Sequence, residues 1–171
     1  MPELPEVETV RRGIERRVVG RAIERVEVFR ERTVRRQGRE AIIDGLTGAR
    51  VVSARRHGKY LLCDLDTGGV LMMHLRMSGR VLVVAAGSER PPHTHVVAHL
   101  SPDRDSVRHE MWFVDPRTFG EVVVFDADDQ HRVAPELARL GPDPVAQGLD
   151  ETQLAEILRG RRGNQIGRAH V

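Results

Sequence analysis

The sequence predicts an α+β fold that is mostly β: an amino-terminal helix, an antiparallel β-sandwich of about seven or eight strands, and the start of a helical domain. Three observations predict it. Apolar residues recur at helical spacing near the amino terminus, short apolar stretches separated by turn residues fill the middle, and a proline- and glycine-rich segment follows. One helix followed by many short strands is typical of a sandwich or barrel.

The first predicted helix covers residues 5–19. Its apolar residues lie on one face, at spacings of three and four: Val7, Val10, Ile14 and Val18. Pro5 suits a first helical turn, and the acidic side chains of Glu6 and Glu8 complement the positive end of the helix. A strand near residues 23–28 and a short helix over 39–46 are predicted to follow.

The strand region begins at residue 51. Its first four segments are VVSARR, KYLLCDL, VLMMHL and RVLVV, with turn residues between them. Three more strands are predicted over residues 94–100, 107–114 and 121–126. The apolar residues Cys63, Met72, Met73, Trp112 and Phe113 are predicted to lie in the sandwich core.

Domain boundaries follow from composition. Residues 1–132 are predicted to form the amino-terminal domain. Two helices, over 133–140 and 150–159, are joined by GPDPVAQG and are predicted to begin a second, incomplete domain over residues 133–163. The last residues, 164–171, are predicted to be a non-native tail, because QIGRAHV is what one reading frame of a common sequencing adapter encodes. A genuine disordered terminus is the alternative.

Composition excludes several classes of protein. No stretch of about 18 apolar residues exists, so no transmembrane helix is expected. The first ten residues include Glu3, Glu6 and Glu8, so they are not a signal peptide. Cys63 is the only cysteine, which excludes an internal disulfide and a multi-cysteine zinc site within this sequence and favours a reducing cytoplasm.

Charge is distributed unevenly along the chain. Residues 1–59 hold 15 Arg and Lys against 9 Asp and Glu, whereas residues 101–160 hold 6 against 13. A basic amino third suits a phosphate backbone, although an arginine-rich solvated face would have the same composition. Of the 27 basic residues, Lys59 is the only lysine. This position is therefore predicted to need an ammonium group rather than a guanidinium.

The chain opens with MPELPEVET. Removal of the initiator Met would leave Pro2 with a free secondary amine. An α-amino group has a pKa of about 7.7–8.0, so it is more often neutral and nucleophilic at pH 7 than a lysine. Such an amine can attack a sugar carbon to give a Schiff-base intermediate, and Glu3 could shuttle protons beside it.

These residues carry a resemblance to a known family. MPELPEVET resembles the opening signature of the formamidopyrimidine-DNA glycosylases, and Leu4 favours this branch over endonuclease VIII, which typically has glycine there. Further matching motifs follow in order: RRHGKYL at 55–61, MHLRMSG at 73–79, HTHVV at 93–97, DPRTFG at 115–120 and LGPDP at 140–144. The resemblance extends from residue 2 to about residue 162.

The resemblance implies the roles of the site residues. Pro2 would be the nucleophile that attacks the deoxyribose C1′, Glu3 the acid and base, and Glu6 a supporting residue. Lys59 would act in catalysis and contact the phosphate beside the lesion, and His74 would approach the DNA backbone.

Three further side chains, Met77, Arg117 and Phe119, would fill the gap left when the damaged base is flipped out of the duplex. Two positions depart from the family pattern. Arg76 stands where glycine is common and could add a phosphate contact or crowd its loop, and Thr118 stands where a basic residue is common.

The implied activity is excision of oxidised purines (8-oxoguanine and formamidopyrimidines) followed by β,δ-elimination at the abasic site. The implied partner is double-stranded damaged DNA, with the protein a monomer at the bacterial nucleoid in the cytoplasm. The family's helix–two-turn–helix and its four-cysteine finger, which binds one structural Zn²⁺, should follow residue 160 but are absent from this sequence. No cofactor is therefore expected in this chain, and weak DNA binding with little or no excision is expected of it alone.

Three alternatives remain open at this stage. The chain could be a non-catalytic DNA-binding fragment. An amino-terminal proline also serves as the general base of tautomerases, although those proteins run from the proline directly into an apolar strand. Finally, His93, His95 and His99 share one face of a strand by parity, which could indicate a metal site, although a structural or surface role is favoured.

Overall fold

In a computed structural model, which describes residues 3–140, the chain forms two four-stranded antiparallel sheets flanked by helices. The four α-helices are α1 (Leu4–Arg17), α2 (Arg39–Leu46), α3 (Gln130–Val133) and α4 (Pro135–Arg139). The eight strands are β1 (Ile23–Val28), β2 (Val51–His57), β3 (Tyr60–Leu65), β4 (Gly69–His74), β5 (Arg80–Ala85), β6 (Thr94–Leu100), β7 (His109–Val114) and β8 (Glu121–Asp126). Two 3-10 helices cover Glu31–Val34 and Ala127–Asp129. The predicted sandwich is confirmed.

The two sheets face each other across one apolar core. The first has the order β1-β6-β7-β5 and the second β2-β3-β4-β8. Alternate residues of every strand point into the space between them, as in the pairs Leu61 with Met73 and Ala98 with Met111. Most of the domain's stability comes from this layer, since each fully buried aliphatic side chain contributes about 1.5–3 kcal/mol.

The two longer helices cover the open sides of the sandwich. Helix α1 contacts β2 of one sheet and β5 of the other, and α2 contacts β1 and β8. These four strands are the sheet edges. Val7 and Ile14 of α1 and Ile42 of α2 are fully buried against them. The edges are thus covered by helices, and α1 is fixed with its amino end beside the β2–β3 turn.

Three details of the prediction are wrong. Residues 133–140 do not form one helix, because Ala134 leaves the helical conformation (φ −132°, ψ 59°) and Pro135 starts the separate helix α4. Met72, which was predicted in the sandwich core, is buried on the outer face of the second sheet with Leu62 and Phe125. Trp112 does not lie between the sheets either. It is buried on the outer face of its sheet with Val97 and Val114, because neighbouring strand residues point to opposite faces and Phe113 occupies the inner one.

The start of the predicted second domain packs on the sandwich. Ala134 and Leu137 cover the outer face of the second sheet, against Leu62, Met72 and Phe125. The predicted helix over 150–159 and the predicted tail over 164–171 lie outside the described residues, so the domain boundary stays a prediction. Within residues 3–140, no helix is long and apolar enough to cross a membrane.

Candidate functional site

The amino end of α1 meets the turn between β2 and β3. The backbone N–H of Glu3 donates to Glu6 Oε2 (3.1 Å), which holds Glu3 at the start of the helix. Lys59 lies in the turn, and its Nζ is 3.2 Å from Glu3 Oε2. Gly58 makes the turn possible, since its φ of 57° is a left-handed conformation that glycine adopts without steric cost. Pro2, the predicted nucleophile, lies outside the described residues.

This ion pair contributes little to stability, because the Glu3 side chain is 67% exposed and solvent weakens the attraction. Its interest is chemical. The carboxylate of Glu3, which directly follows the predicted nucleophile in the chain, lies within hydrogen-bonding distance of the ammonium of the chain's one lysine. This is an arrangement that can exchange protons with a bound substrate.

Lys59 also lines a cleft of about 490 Å³. The other residues that line it are Arg35, His74, Arg76, Met77 and Phe119. The cleft therefore brings together five of the residues that the sequence predicted for DNA binding. Met77 and Phe119 are about half exposed although they are large and apolar, which suits side chains that insert between bases.

His74 presents a neutral ring to this cleft. It is buried at the end of β4, with its ring edge-on to Tyr60 at 4.3 Å between centroids, and its Nδ1 accepts a hydrogen bond from the backbone N–H of Arg76 (2.9 Å). Burial, and then the charge of Arg76, lower the pKa of His74 to about 4. At neutral pH its single proton is therefore on Nε2, which is left as a donor.

The two departures from the family pattern share one backbone feature. Arg76 (φ 53°) and Thr118 (φ 60°) are both non-glycine residues in the left-handed conformation. Glycine is favoured at such a position because it has no Cβ to clash. The Arg76 side chain does not crowd the loop: it extends to Glu121, where its Nη2 is 3.2 Å from Oε1.

A buried carboxylate joins the two loops of the site. Asp115, which is fully buried, accepts hydrogen bonds from Ser78 Oγ, from the backbone N–H of Arg117 (3.2 Å) and from that of Gly120 (2.7 Å). Burial opposes ionisation of Asp115, but these hydrogen bonds outweigh it and hold its pKa below the ordinary value. The loop after β4 and the loop after β7 are thus fixed relative to each other.

Met77 and Arg117 meet at the junction of these loops, with Arg117 Nη1 3.7 Å from Met77 Sδ. Met77 also borders a second hollow, of about 470 Å³, whose lining includes Glu6, Val10 and Leu82. Glu6 therefore lies on the other side of Met77 from the cleft. A larger hollow of about 700 Å³, at the far end of α1, contains none of the predicted site residues.

Three residues of the site were not predicted: Arg35, Asp115 and Glu121. Asp115 opens the DPRTFG motif, and Glu121 is an acidic residue directly before the four apolar, buried residues 122–125, so both carry a signal that could have found them. Arg35 is one of many arginines, and nothing in its sequence context distinguishes it.

The histidines considered as metal ligands have separate environments. His93 lies outside β6 with a φ of 66°, His95 is 2.8 Å from Thr33 Oγ1, and His99 lies between Glu27 (2.6 Å) and Glu110 (3.3 Å). A bulge between Thr94 and Val96 interrupts the alternation on which the shared face depended. Among residues 3–140, no three His, Cys, Asp or Glu side chains are grouped to hold a metal ion.

Comparison with known proteins gives one consistent family. Residues 1–122 match the family profile described as the formamidopyrimidine-DNA glycosylase N-terminal domain. Formamidopyrimidine-DNA glycosylases of a Parafrankia species and of Halorhodospira halophila are 41% and 42% identical, over 95% of this chain in each case. The chain spans 57% of the length of each of these relatives.

Solved structures agree in fold. A Lactococcus lactis Fpg in complex with DNA containing an abasic site matches 92% of this chain with a TM-score of 0.77 and 32% identity. The same protein in complex with DNA containing FAPY-dG matches 92% with a TM-score of 0.76 and 33% identity. In both comparisons this chain covers 56% of the solved chain.

Proposed function

Because the chain belongs to the formamidopyrimidine-DNA glycosylase family, we propose that it carries the catalytic machinery of a bifunctional enzyme that excises oxidised purines and then cleaves the strand. The observation that carries this proposal is the position of Lys59, which contacts Glu3 at the start of α1 and lines the cleft with His74, Met77 and Phe119. Acid, ammonium, phosphate donor and base-wedging groups are thereby combined at one place.

The chemistry begins at Pro2. Its amine nitrogen forms a bond to C1′ of the damaged nucleotide, and the bond from C1′ to the base breaks, with the electron pair leaving on the base. The Glu3 carboxylate takes up the proton that the Pro2 amine loses and gives it to the sugar ring oxygen as the ring opens, which leaves an iminium ion between Pro2 and C1′, while the departing base takes a proton from water. Loss of a C2′ proton then expels the 3′ phosphate, and a second elimination expels the 5′ phosphate.

The exposed apolar side chains serve the step before chemistry. Because C1′ cannot be reached while the base is stacked, the damaged nucleotide must leave the duplex. Met77 and Phe119, which are about half exposed, would fill the space it vacates, and Arg117, in contact with Met77, would hydrogen-bond the unpaired base. The neutral Nε2–H of His74 and the ammonium of Lys59 would then hold the backbone phosphates of the extruded nucleotide.

This sequence includes only part of what the family uses. It spans little more than half the length of its relatives, and it has one cysteine, Cys63, which is buried in the sandwich. The four-cysteine Zn²⁺ site of the family therefore has no ligand set among these residues, and no step depends on zinc here. We propose that these 171 residues alone bind DNA weakly and excise 8-oxoguanine poorly.

Borohydride trapping on duplex DNA with an abasic site, at low salt, tests the proposal. The chain offers only two amines that could form a Schiff base, the terminal amine and Lys59 Nζ, because it contains one lysine. We expect a covalent adduct that maps to the amino-terminal peptide, persists in Pro5→Ala and is lost or greatly reduced in Pro2→Gly. An adduct that maps to Lys59 would refute the assignment of Pro2. DNA binding without any adduct would instead support the non-catalytic fragment.

A further inference from the structure

A buried carboxylate lies behind the cleft and contacts three arginines. Glu121, the first residue of β8, is 4% exposed. Its Oε2 is 2.6 Å from Arg36 Nη2, its Oε1 is 3.2 Å from Arg76 Nη2, and Oε1 also accepts from Arg35 Nη2. The arginines come from two places far apart in sequence, the segment before α2 and the loop after β4. Glu121 thus joins two walls of the cleft.

The three arginines differ in what they face. Arg36 points away from the cleft, where it contacts Glu136 (2.7 Å) and donates to the carbonyl of Val133 (3.0 Å). Arg35 and Arg76 line the cleft itself, and their side chains are 38% and 41% exposed. Two of the three guanidiniums are therefore available to a ligand in the cleft.

Charge is left over on the cleft side. Among the described residues Glu136 forms an ion pair with Arg36 alone, so the three arginines carry three positive charges against the two carboxylates Glu121 and Glu136. A guanidinium has five N–H donors. Within residues 3–140, Arg76 uses only Nη2, while Arg35 also donates through Nη1 to the carbonyls of Arg32 and Gly120. The pair retains one unbalanced positive charge and unused donors.

Both guanidiniums are also fixed in place. Arg76 is held in a left-handed conformation by the hydrogen bond from its backbone N–H to His74, and its side chain is held by Glu121. A pair of planar donors whose positions are fixed before binding is suited to a phosphate group. It stands beside Lys59 and His74, which face the same space.

We propose that Arg35 and Arg76 bind one phosphate of the DNA strand next to the Lys59 and His74 site, and that Glu121 is the positioning residue that holds them together. This inference rests on the proposed DNA-binding function. It adds Arg35 as a phosphate contact, and it gives Arg76 a partner without which its guanidinium would not be directed at the strand.

The salt dependence of binding tests the two arginines. We expect Arg35→Gln and Arg76→Gln each to reduce the slope of log affinity against log salt by about one for this chain on duplex DNA. When the salt concentration rises from roughly 25 to 100 mM, the fold-loss of affinity of each variant would be about three times smaller than that of the wild type. Arg108→Gln is the matched control: it removes the same charge from an arginine paired with Glu24 at the opposite end of β7.

Two substitutions test the positioning role. Glu121→Gln removes a negative charge, so electrostatics alone predicts tighter binding, whereas loss of positioning predicts weaker binding. Glu121→Asp keeps the charge but shortens the side chain, and we expect it to weaken binding as well. Circular dichroism and thermal unfolding establish that each variant is folded.

Each outcome decides something. Slopes of the two arginine variants equal to that of Arg108→Gln, or wild-type binding without salt dependence, would overturn the phosphate contact. Tighter binding by Glu121→Gln, or wild-type binding by Glu121→Asp, would overturn the positioning role. Failure of the proposed catalytic function shows separately, as absence of the borohydride adduct while salt-dependent binding persists.

Discussion

Asp115→Asn should both destabilise the domain and loosen the two loops that are proposed to contact DNA. Its two carboxylate oxygens accept three hydrogen bonds: one from Ser78 Oγ, one from the backbone N–H of Arg117 and one from that of Gly120. Asparagine has one oxygen and an NH₂ group that only donates. With the amide oxygen at the position of Oδ1, the backbone N–H of Gly120 loses its acceptor. With the oxygen at the position of Oδ2, the hydroxyl of Ser78 loses its acceptor and the backbone N–H of Arg117 keeps only Ser78 Oγ (3.2 Å).

The magnitude follows from these contacts. A hydrogen bond to a charged group contributes about 1.5–3 kcal/mol, and a buried donor without a partner has a cost of similar size. Since Asp115 is fully buried, water cannot replace the lost acceptor. We expect a loss of about 2–4 kcal/mol in the free energy of unfolding, measured by urea denaturation at pH 7.

The pH dependence has a definite sign. The pKa of folded Asp115 lies below its ordinary value, so its contribution to stability is present above that ordinary value and is lost as the pH falls through the folded pKa. Asp115→Asn removes this contribution. The difference in stability between wild type and variant should therefore be constant around neutrality and shrink only in acid.

Asp103→Asn is the control. Asp103 also accepts two backbone N–H groups, from Asp105 (3.0 Å) and Val107 (2.8 Å), but its side chain is one-third exposed, so water can compensate. The reasoning would be refuted if Asp115→Asn destabilised the domain no more than Asp103→Asn. Borohydride trapping, measured where both variants are folded, should fall only in Asp115→Asn, because only that loop carries Arg117 and Phe119.

Three further predictions concern single residues. The pKa of buried His74 is about 4, so the folded state resists protonation of its ring. Lowering the pH from 7 to 5 should therefore destabilise wild type by about 2 kcal/mol more than His74→Asn. Urea denaturation at the two pH values measures this difference. Thr118→Gly should raise the free energy of unfolding by up to about 1 kcal/mol, because glycine adopts a φ of 60° without the steric cost that threonine incurs. Gly120→Ala should destabilise by about 1–3 kcal/mol, since its Cβ would lie 2.6 Å from Phe113 Cζ, whereas Gly13→Ala, with nothing within 4 Å, should stabilise helix α1 by about 1 kcal/mol.

Each of these has an outcome that would contradict it. For His74, the groups facing the ring are Arg76 and Lys59, which lower its pKa, and Glu121 and Glu136, which raise it. If wild type and His74→Asn lost stability in parallel as the pH fell, the ring would not be held neutral. A stabilising Gly120→Ala would show that the close approach of residue 120 to Phe113 has no effect, and a destabilising Gly13→Ala would contradict the open position in α1.

Much of the fold could be predicted because its strands are short, mostly apolar stretches and its turns carry glycine, proline and aspartate. The segments predicted at residues 23–28, 39–46, 94–100 and 121–126 agree with β1, α2, β6 and β8 at both ends. The break at Ala134 was missed because Pro135 is compatible with the first turn of a helix as well as with an interruption. Trp112 was misplaced because composition shows that a residue is buried but not on which face of a sheet.

Residues of the site could be predicted only where they belong to a recognisable sequence motif. Motifs named six residues of the site. The fold brings Lys59 into contact with Glu3 at the start of α1. It also brings Lys59 into one cleft with the other four, which are His74, Arg76, Met77 and Phe119. The buried residues that hold them could not be named, because their role depends on contacts between distant segments. Arg35 and Glu121 are 86 positions apart in the chain, and no local pattern relates them.

The charge asymmetry of the sequence takes a different meaning in the fold. The net positive charge of the amino third suggested either a surface for a phosphate backbone or an arginine-rich solvated face, and the acidic residues after position 100 were not interpreted. The structure instead places acidic residues of the second group beneath arginines of the first: Glu121 beneath Arg35, and Glu136 beside Arg36. These two carboxylates face three arginines, so one positive charge of this cluster is not balanced. Under the proposed phosphate contact, these acidic residues determine which arginines beside the cleft stay unbalanced and where they point.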